Sequence, residues 1–238
     1  MTRPGPVALV GSGEYLPVME PIERDLLQGR PPRMVQLATA AAPEGTASLR
    51  YWHDLGADAA KRLGVEQVVV PVVDRRTADD PALAALVQGA GLVYLSGGNP
   101  RFLAATLRDT AVWAAIADAW STGAALAGCS AGAMALTASV PDIRRPSHPP
   151  EPGLGAVRNL LVVPHFDRFA ARMSNGDLGR LTTAPEGVTV VGIDEETALV
   201  GGPDHWLVWG RRSVWVIEGD VRQPHPAGSQ LTLPHVTV

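Results

Sequence analysis

The chain has 238 residues, 46% of them hydrophobic and 18% charged, which is globular composition and unlike that of a disordered chain. A net charge of −4 leaves no positive excess to neutralise a phosphate backbone, so nucleic acid is not an expected partner. The only cysteine, Cys129, excludes an internal disulfide and a cysteine-based zinc site.

Taken in chain order, short β-rich apolar runs alternate with longer helical patterns, the signature of βαβ units around a parallel sheet. Strands are expected at 6–11, 33–39, 66–73, 92–96 and 124–129. The apolar run at 7–10 is shorter than a signal-peptide core of about 7–15 residues, so no targeting segment is expected. Trp52, Leu55, Ala59 and Leu63 recur at helical spacing between the second and third strands. Asp80-Pro81 and Asn99-Pro100 each pair an N-cap residue with proline at the first helical position. Residues 119–141 carry no charge and are long enough to span a bilayer. Gly123, Gly128, Gly132 and several hydroxyls instead favour a buried strand, a turn and a buried helix, and a cytoplasmic protein with no membrane contact is expected. The proline-rich stretch 141–155 reads as a surface loop; 157–164 and 188–193 read as further buried strands. Residues 206–217 read as a hairpin turning at Gly210-Arg211-Arg212. The expectation is a single three-layer α/β domain over residues 1–238. It has a mostly parallel central sheet, flanking helices and an antiparallel C-terminal margin.

The sharpest local feature is Gly128-Cys129-Ser130-Ala131-Gly132, which ends an expected strand and opens an expected helix. That is the setting of a G-x-S-x-G nucleophile elbow, in which small neighbours let the chain turn tightly and the helix N-terminus faces developing negative charge. Cys129 precedes the apex and reads as a small buried hydrophobe. Gly97-Gly98-Asn99 ends another strand, and its backbone N–H groups could join that of Ala131 in an oxyanion hole; an ordinary strand–helix turn is the plainer reading. Gly11-Ser12-Gly13 lacks the third glycine of a dinucleotide fingerprint. Among six histidines, His165 ends an apolar strand, where parallel-sheet sites collect. His53, His148, His205, His225 and His235 lie in a helix, the proline-rich loop or the C-terminal margin. Asp194-Glu195-Glu196 follows the 188–193 strand and supplies three candidate acids. The residues alone leave that choice open, although strand alternation would put Asp194 and Glu196 on the side opposite Glu195.

Gly11-Ser12-Gly13-Glu14, Gly97-Gly98-Asn99, Gly128-Cys129-Ser130-Ala131-Gly132-Ala133, Pro164-His165-Phe166 and Gly192-Ile193-Asp194-Glu195 occur in one order. Together they resemble the dipeptidase E and cyanophycinase family, serine peptidases with a flavodoxin-like fold akin to class I glutamine amidotransferases. The resemblance spans about residues 7–209. It implies Ser130 as nucleophile, His165 as base, Glu195 as orienting acid, and the N–H groups of Gly98 and Ala131 as oxyanion donors. It also implies a short peptide substrate. Neither a cofactor nor a metal is expected, because the sequence has no H-E-x-x-H motif, no paired cysteines and no complete phosphate-binding loop. The segment after His165-Phe166 departs from the arginine-rich cyanophycinase pattern, and Asp177 stands where that pattern has arginine. Asn99, Arg168 and Arg172 are the candidates for substrate binding, with Arg180 a further cation in the same region. Oligomeric state is open, a homodimer included. Two alternatives remain at this stage. An α/β-hydrolase esterase would need a late acid such as Asp204 and a base such as His225 or His235. A silent small-molecule-binding domain would keep the elbow only as architecture.

Overall fold

The computed structural model describes residues 3–143, 145–169, 176, 179–180, 182–202 and 205–233. Five strands form the parallel part of a central sheet: β1 (Val7–Val10), β2 (Arg33–Leu37), β3 (Glu66–Val69), β4 (Leu92–Leu95) and β5 (Ala125–Cys129). The short β6 (Ser139–Val140) and β7 (Glu151–Pro152) pair with each other. Then come β8 (Leu160–Pro164), β9 (Thr189–Ile193), β10 (Thr197–Gly201), β11 (His205–Gly210), β12 (Ser213–Glu218), β13 (Val221–Pro226) and β14 (Gln230–Thr232). The helices with described bounds are α1 (Glu20–Leu27), α2 (Thr46–Leu63), α3 (Arg75–Ala78), α4 (Pro81–Ala85), α5 (Pro100–Leu107), α6 (Ala111–Ser121), α7 (Ala131–Ala135) and α8 (Phe166–Phe169). No helix among the described residues is long and apolar enough to cross a membrane.

Among the described residues the central sheet is eight-stranded, in the order β14-β11-β10-β1-β5-β4-β2-β3. Strands β1 to β5 run parallel, and β10, β11 and β14 form the antiparallel margin. Side chains alternate across it as the pleat requires. Val7, Leu9, Val93 and Leu95 join the core under α5, α6 and α7, whereas Ala8, Val10, Leu92 and Tyr94 join the core under α1 and α2. This is the mixed α/β architecture expected from the alternating runs. The two capping expectations hold as well: the Asp80 side chain accepts from the Ala82 N–H and that of Asn99 from the Phe102 N–H. The third strand stops at Val69 rather than 73, because Pro71 has no N–H with which to continue a ladder.

One expectation needs correction. Residues 206–217 do not form a hairpin. β11 is paired on both sides by β10 and β14, while β12 lies in a second, four-stranded sheet of order β13-β12-β9-β8. The Gly210 turn therefore hands the chain from one sheet to the other, at φ +110°. A Cβ there would lie 2.2 Å from the Glu196 carbonyl oxygen, a close approach that only glycine permits. The link from β9 to β10, residues 194–196, crosses between the same two sheets.

A buried acid on α1 makes stability pH-dependent. Glu23 is 1% exposed; one oxygen accepts the Tyr15 N–H at 2.9 Å and the other has no hydrogen-bond partner among the described residues. Burial raises its pKa from 4.5 to about 7. Because the folded pKa is raised, its contribution is full below pH 4.5 and is lost as pH rises through about 7. The loss is on the order of 3 kcal/mol at 1.36 kcal/mol per unit. Glu23→Gln should flatten the pH dependence of Tm across that window. An unchanged slope in the variant would assign the effect to other groups.

Candidate active site

The central sheet brings four chain segments together at one edge. β4, β5 and β1 end there with Gly97, Ser130 and the Gly11 turn, and the antiparallel β10 begins there just after Glu196. Such strand ends are where ligands bind in α/β sheets. Gly11 permits the closest of these approaches, since a Cβ would lie 2.1 Å from the Asp194 carbonyl oxygen. The glycine turn after the first strand is thus filled by protein and offers no phosphate cradle.

Ser130 sits between β5 and α7 with φ +50° and ψ −104°, a conformation that non-glycine residues rarely adopt. Its flanking glycines are required by contact. A Cβ on Gly128 would meet the Gly132 carbonyl carbon at 2.5 Å, and one on Gly132 the Leu95 oxygen at 2.2 Å. Cys129, fully buried, points away into the core under α1 and α2.

His165 comes from the second sheet. It follows β8 at φ +50°, also in the left-handed region, and its ring stands edge-on to Phe169 at 6.0 Å. The neighbouring Phe166 fills the space over Gly192, where a Cβ would strike the ring. Ser130 Oγ lies 2.9 Å from His165 Nε2, and His165 Nδ1 lies 3.0 Å from Glu195 Oε1. A carboxylate only accepts, so Nδ1 carries the proton and Nε2 is left to accept from the serine hydroxyl. The second Glu195 oxygen is 2.7 Å from Arg168 Nε, and the Glu195 backbone N–H donates to Asp167 Oδ1 at 3.0 Å.

The neighbouring acids point elsewhere. Asp194 accepts from the Ser213 N–H at 3.2 Å and the Trp215 indole N–H at 3.0 Å, and burial raises its pKa. Glu196, at φ +54°, pairs with Arg211 at 3.0 Å. Of the three, Glu195 is the one beside the imidazole.

The two expected oxyanion donors have no acceptor among the described residues. Ala131 is the first residue of α7, so its N–H is free by position. Gly98 lies between two anchored N–H groups: Gly97 donates to Glu14 Oε1 at 2.9 Å and Asn99 to the Ala40 oxygen at 2.8 Å. Gly98 has φ +138°, and a Cβ would sit 2.4 Å from the Ala40 oxygen.

These groups face a cleft of about 970 Å³, walled in part by Phe102, Met134, Ile143 and Phe169. The proline-rich stretch is one of its walls, which sequence reasoning missed. Arg101 on α5 clamps that stretch, binding Asp142 at 2.7 Å and also Glu151. Paired acids flanking a loop opposite an arginine carry no motif, so nothing local announced the clamp. Asn99 lines the cleft with its side-chain oxygen engaged in the α5 cap. Arg168 is 61% exposed and engaged with Glu195, Arg180 is exposed, and Arg172 and Asp177 lie outside the described residues.

The model of peptidase family S51 matches residues 8–205. A peptidase from an acI-B1 Actinobacterium is 40% identical over 97% of this chain and 97% of its own, with a TM-score of 0.89. A protein designated peptidase E from Listeria monocytogenes EGD-e is 16% identical over 94% of this chain and 98% of its own; with a TM-score of 0.58 it shares the fold. Among curated proteins no match is found.

Proposed function

Because the chain belongs to peptidase family S51 and is a serine-type peptidase, we propose that it cleaves short peptides with a Ser130–His165–Glu195 triad. The observation that carries the reading is the hydrogen-bonded line from Glu195 through His165 to Ser130 Oγ, ending in the cleft. In the first half-reaction Ser130 Oγ attacks the scissile carbonyl carbon while His165 Nε2 takes the hydroxyl proton. Glu195 holds the imidazole in the tautomer that accepts at Nε2 and stabilises the imidazolium formed. Negative charge gathers on the carbonyl oxygen, which the Gly98 and Ala131 N–H groups receive. His165 then returns its proton to the leaving amine, the C–N bond breaks, and Ser130 carries the acyl group. Water repeats the sequence, with His165 as base, and releases the acid. Every proton removed is returned, so the chemistry draws on this chain's own residues.

The preference for short substrates rests on the cleft, whose volume is at the upper end of about 300–1,000 Å³ for small-ligand sites and which the Arg101 clamp bounds on one side. Asn99, with its amide at the cleft wall, is proposed to contact the peptide; Arg168 is proposed to act from outside the cleft, on substrate or through Glu195. We further propose that residues 1–238 work as one α/β unit in the cytoplasm.

The test is to label purified protein with a fluorophosphonate probe and screen a library of dipeptides, β-aspartyl peptides included. Stoichiometric labelling at Ser130 with release of free amino acids is expected. Absence of labelling in folded protein would sink the reading in favour of a silent binding domain.

A further inference from the structure

Glu14 follows the first-strand glycine turn and is 4% exposed, yet the triad chemistry does not use it. Its two carboxylate oxygens have separate donors. Oε1 accepts the Gly97 N–H at 2.9 Å, and Oε2 accepts the Cys129 thiol at 2.6 Å. The first donor is the residue before the oxyanion donor Gly98, and the second is the residue before the nucleophile Ser130. One buried carboxylate thus spans the ends of β4 and β5, the two strands whose turns must be in register for attack.

The surroundings hold Glu14 in that position. Tyr15 has φ +64°, a genuine outlier for a bulky residue, and it is secured at both ends of its peptide. Its N–H donates to Glu23 and its carbonyl accepts from Arg62. The Tyr15 hydroxyl also lies 3.0 Å from Ser96 Oγ, so residues 14 and 15 engage consecutive residues of the β4 turn. At Gly97 a Cβ would come within 3.1 Å of Glu14 Oε1, so the contact fits a glycine backbone. Burial, and next the Glu14 charge, hold the Cys129 thiol well above its ordinary range, which keeps it an S–H donor.

We propose that Glu14 is a positioning residue of the peptidase site, whose carboxylate ties the Gly97 N–H to the Cys129 thiol and so fixes the Gly98 oxyanion donor relative to Ser130. It acts through the turn and touches no substrate. The inference rests on the serine-peptidase reading and deepens it.

What the role demands is reach, more than charge. Glu14→Gln keeps the length, an oxygen for the Gly97 N–H and an NH₂ that can donate to the Cys129 sulfur, so both ends of the link survive. Glu14→Asp keeps the charge but falls short of spanning both donors. Misplacing a reacting group by about 1 Å can cost on the order of 10²-fold, and losing an oxyanion donor costs about 10²–10³ in kcat. The experiment compares kcat and KM of the two variants, each normalised to the serine titrated to completion by a fluorophosphonate. Glu14→Gln is expected within about fivefold of wild-type kcat, and Glu14→Asp at least ~30-fold lower, with KM within about twofold in both. An aspartate variant as active as the glutamine variant would overturn the proposal, as would a loss confined to KM. Loss of folded, titratable protein in both variants would assign Glu14 to the core and overturn it too. Wild-type protein that fails to titrate would instead refute the peptidase reading beneath it.

Discussion

Ser130→Ala is expected to lower kcat roughly 10⁶-fold, while Cys129→Ala, which cuts one end of the Glu14 link and leaves the covalent route intact, costs at most about 10²-fold. Members of a triad act as a unit, so removing the nucleophile forfeits nearly the whole covalent route and leaves only binding and the oxyanion donors. The two residues are adjacent, and cysteine is intrinsically the better nucleophile, yet the backbone separates their roles. Ser130, at φ +50° on the apex of the turn, directs Oγ to His165 Nε2 at 2.9 Å. Cys129 belongs to β5 and alternates to the opposite face, where its thiol meets Glu14 and no imidazole. It has no line to a substrate in the cleft, and burial together with the charge of its acceptor Glu14 keeps it a neutral thiol. Its removal deletes one donor to Glu14 but leaves the Gly97 contact. Steady-state kinetics on both variants, with folding checked by circular dichroism, decide between the neighbours. Near-normal turnover by Ser130→Ala with a dead Cys129→Ala would reverse the roles.

The sequence was legible wherever a local pattern has one structural solution. Asp80-Pro81 and Asn99-Pro100 start helices because an N-cap acceptor and a fixed φ suit only that position. The elbow was legible because glycine on both sides of a serine, at the end of a β-rich run, tells of backbone packed too closely for any Cβ, as Gly128 and Gly132 demonstrate. Partner choice between strands was not legible. Residues 205–218 carry two good strands and a turn, and local pattern cannot say that each strand is claimed by a different sheet. The same blindness hid the clamp from Arg101 to Asp142 and Glu151, which joins residues about forty and fifty positions apart. It hid Glu14 as well. A glutamate after a glycine turn reads as solvated until the topology sets β1 beside β5 and closes the β4 turn over it.

The choice of base tests the order of the triad along the chain. If that order is Ser130, His165, Glu195, then His165→Ala should be nearly inactive, whereas His225→Ala and His235→Ala should stay close to wild type. His225 lies on β13, the far edge strand of the second sheet, and β12 and β9 separate it from β8. At about 4.8 Å per strand that is roughly 14 Å of lateral distance, beyond direct proton transfer. His235 and Asp204, which an esterase order would use, lie outside the described residues. Glu195→Gln is expected to cost about 10⁴-fold in kcat, the scale seen when a triad acid becomes an amide. The amide can offer its NH₂ to Nδ1, which favours the tautomer protonated at Nε2, and that nitrogen then cannot take the serine proton. Asp194 and Glu196 cannot substitute, because one is held by Ser213 and Trp215 and the other by Arg211. Measuring kcat/KM for the four variants, with folding verified, separates the cases: an active His165→Ala beside a dead His225→Ala or His235→Ala would overturn the triad and install the esterase order in its place.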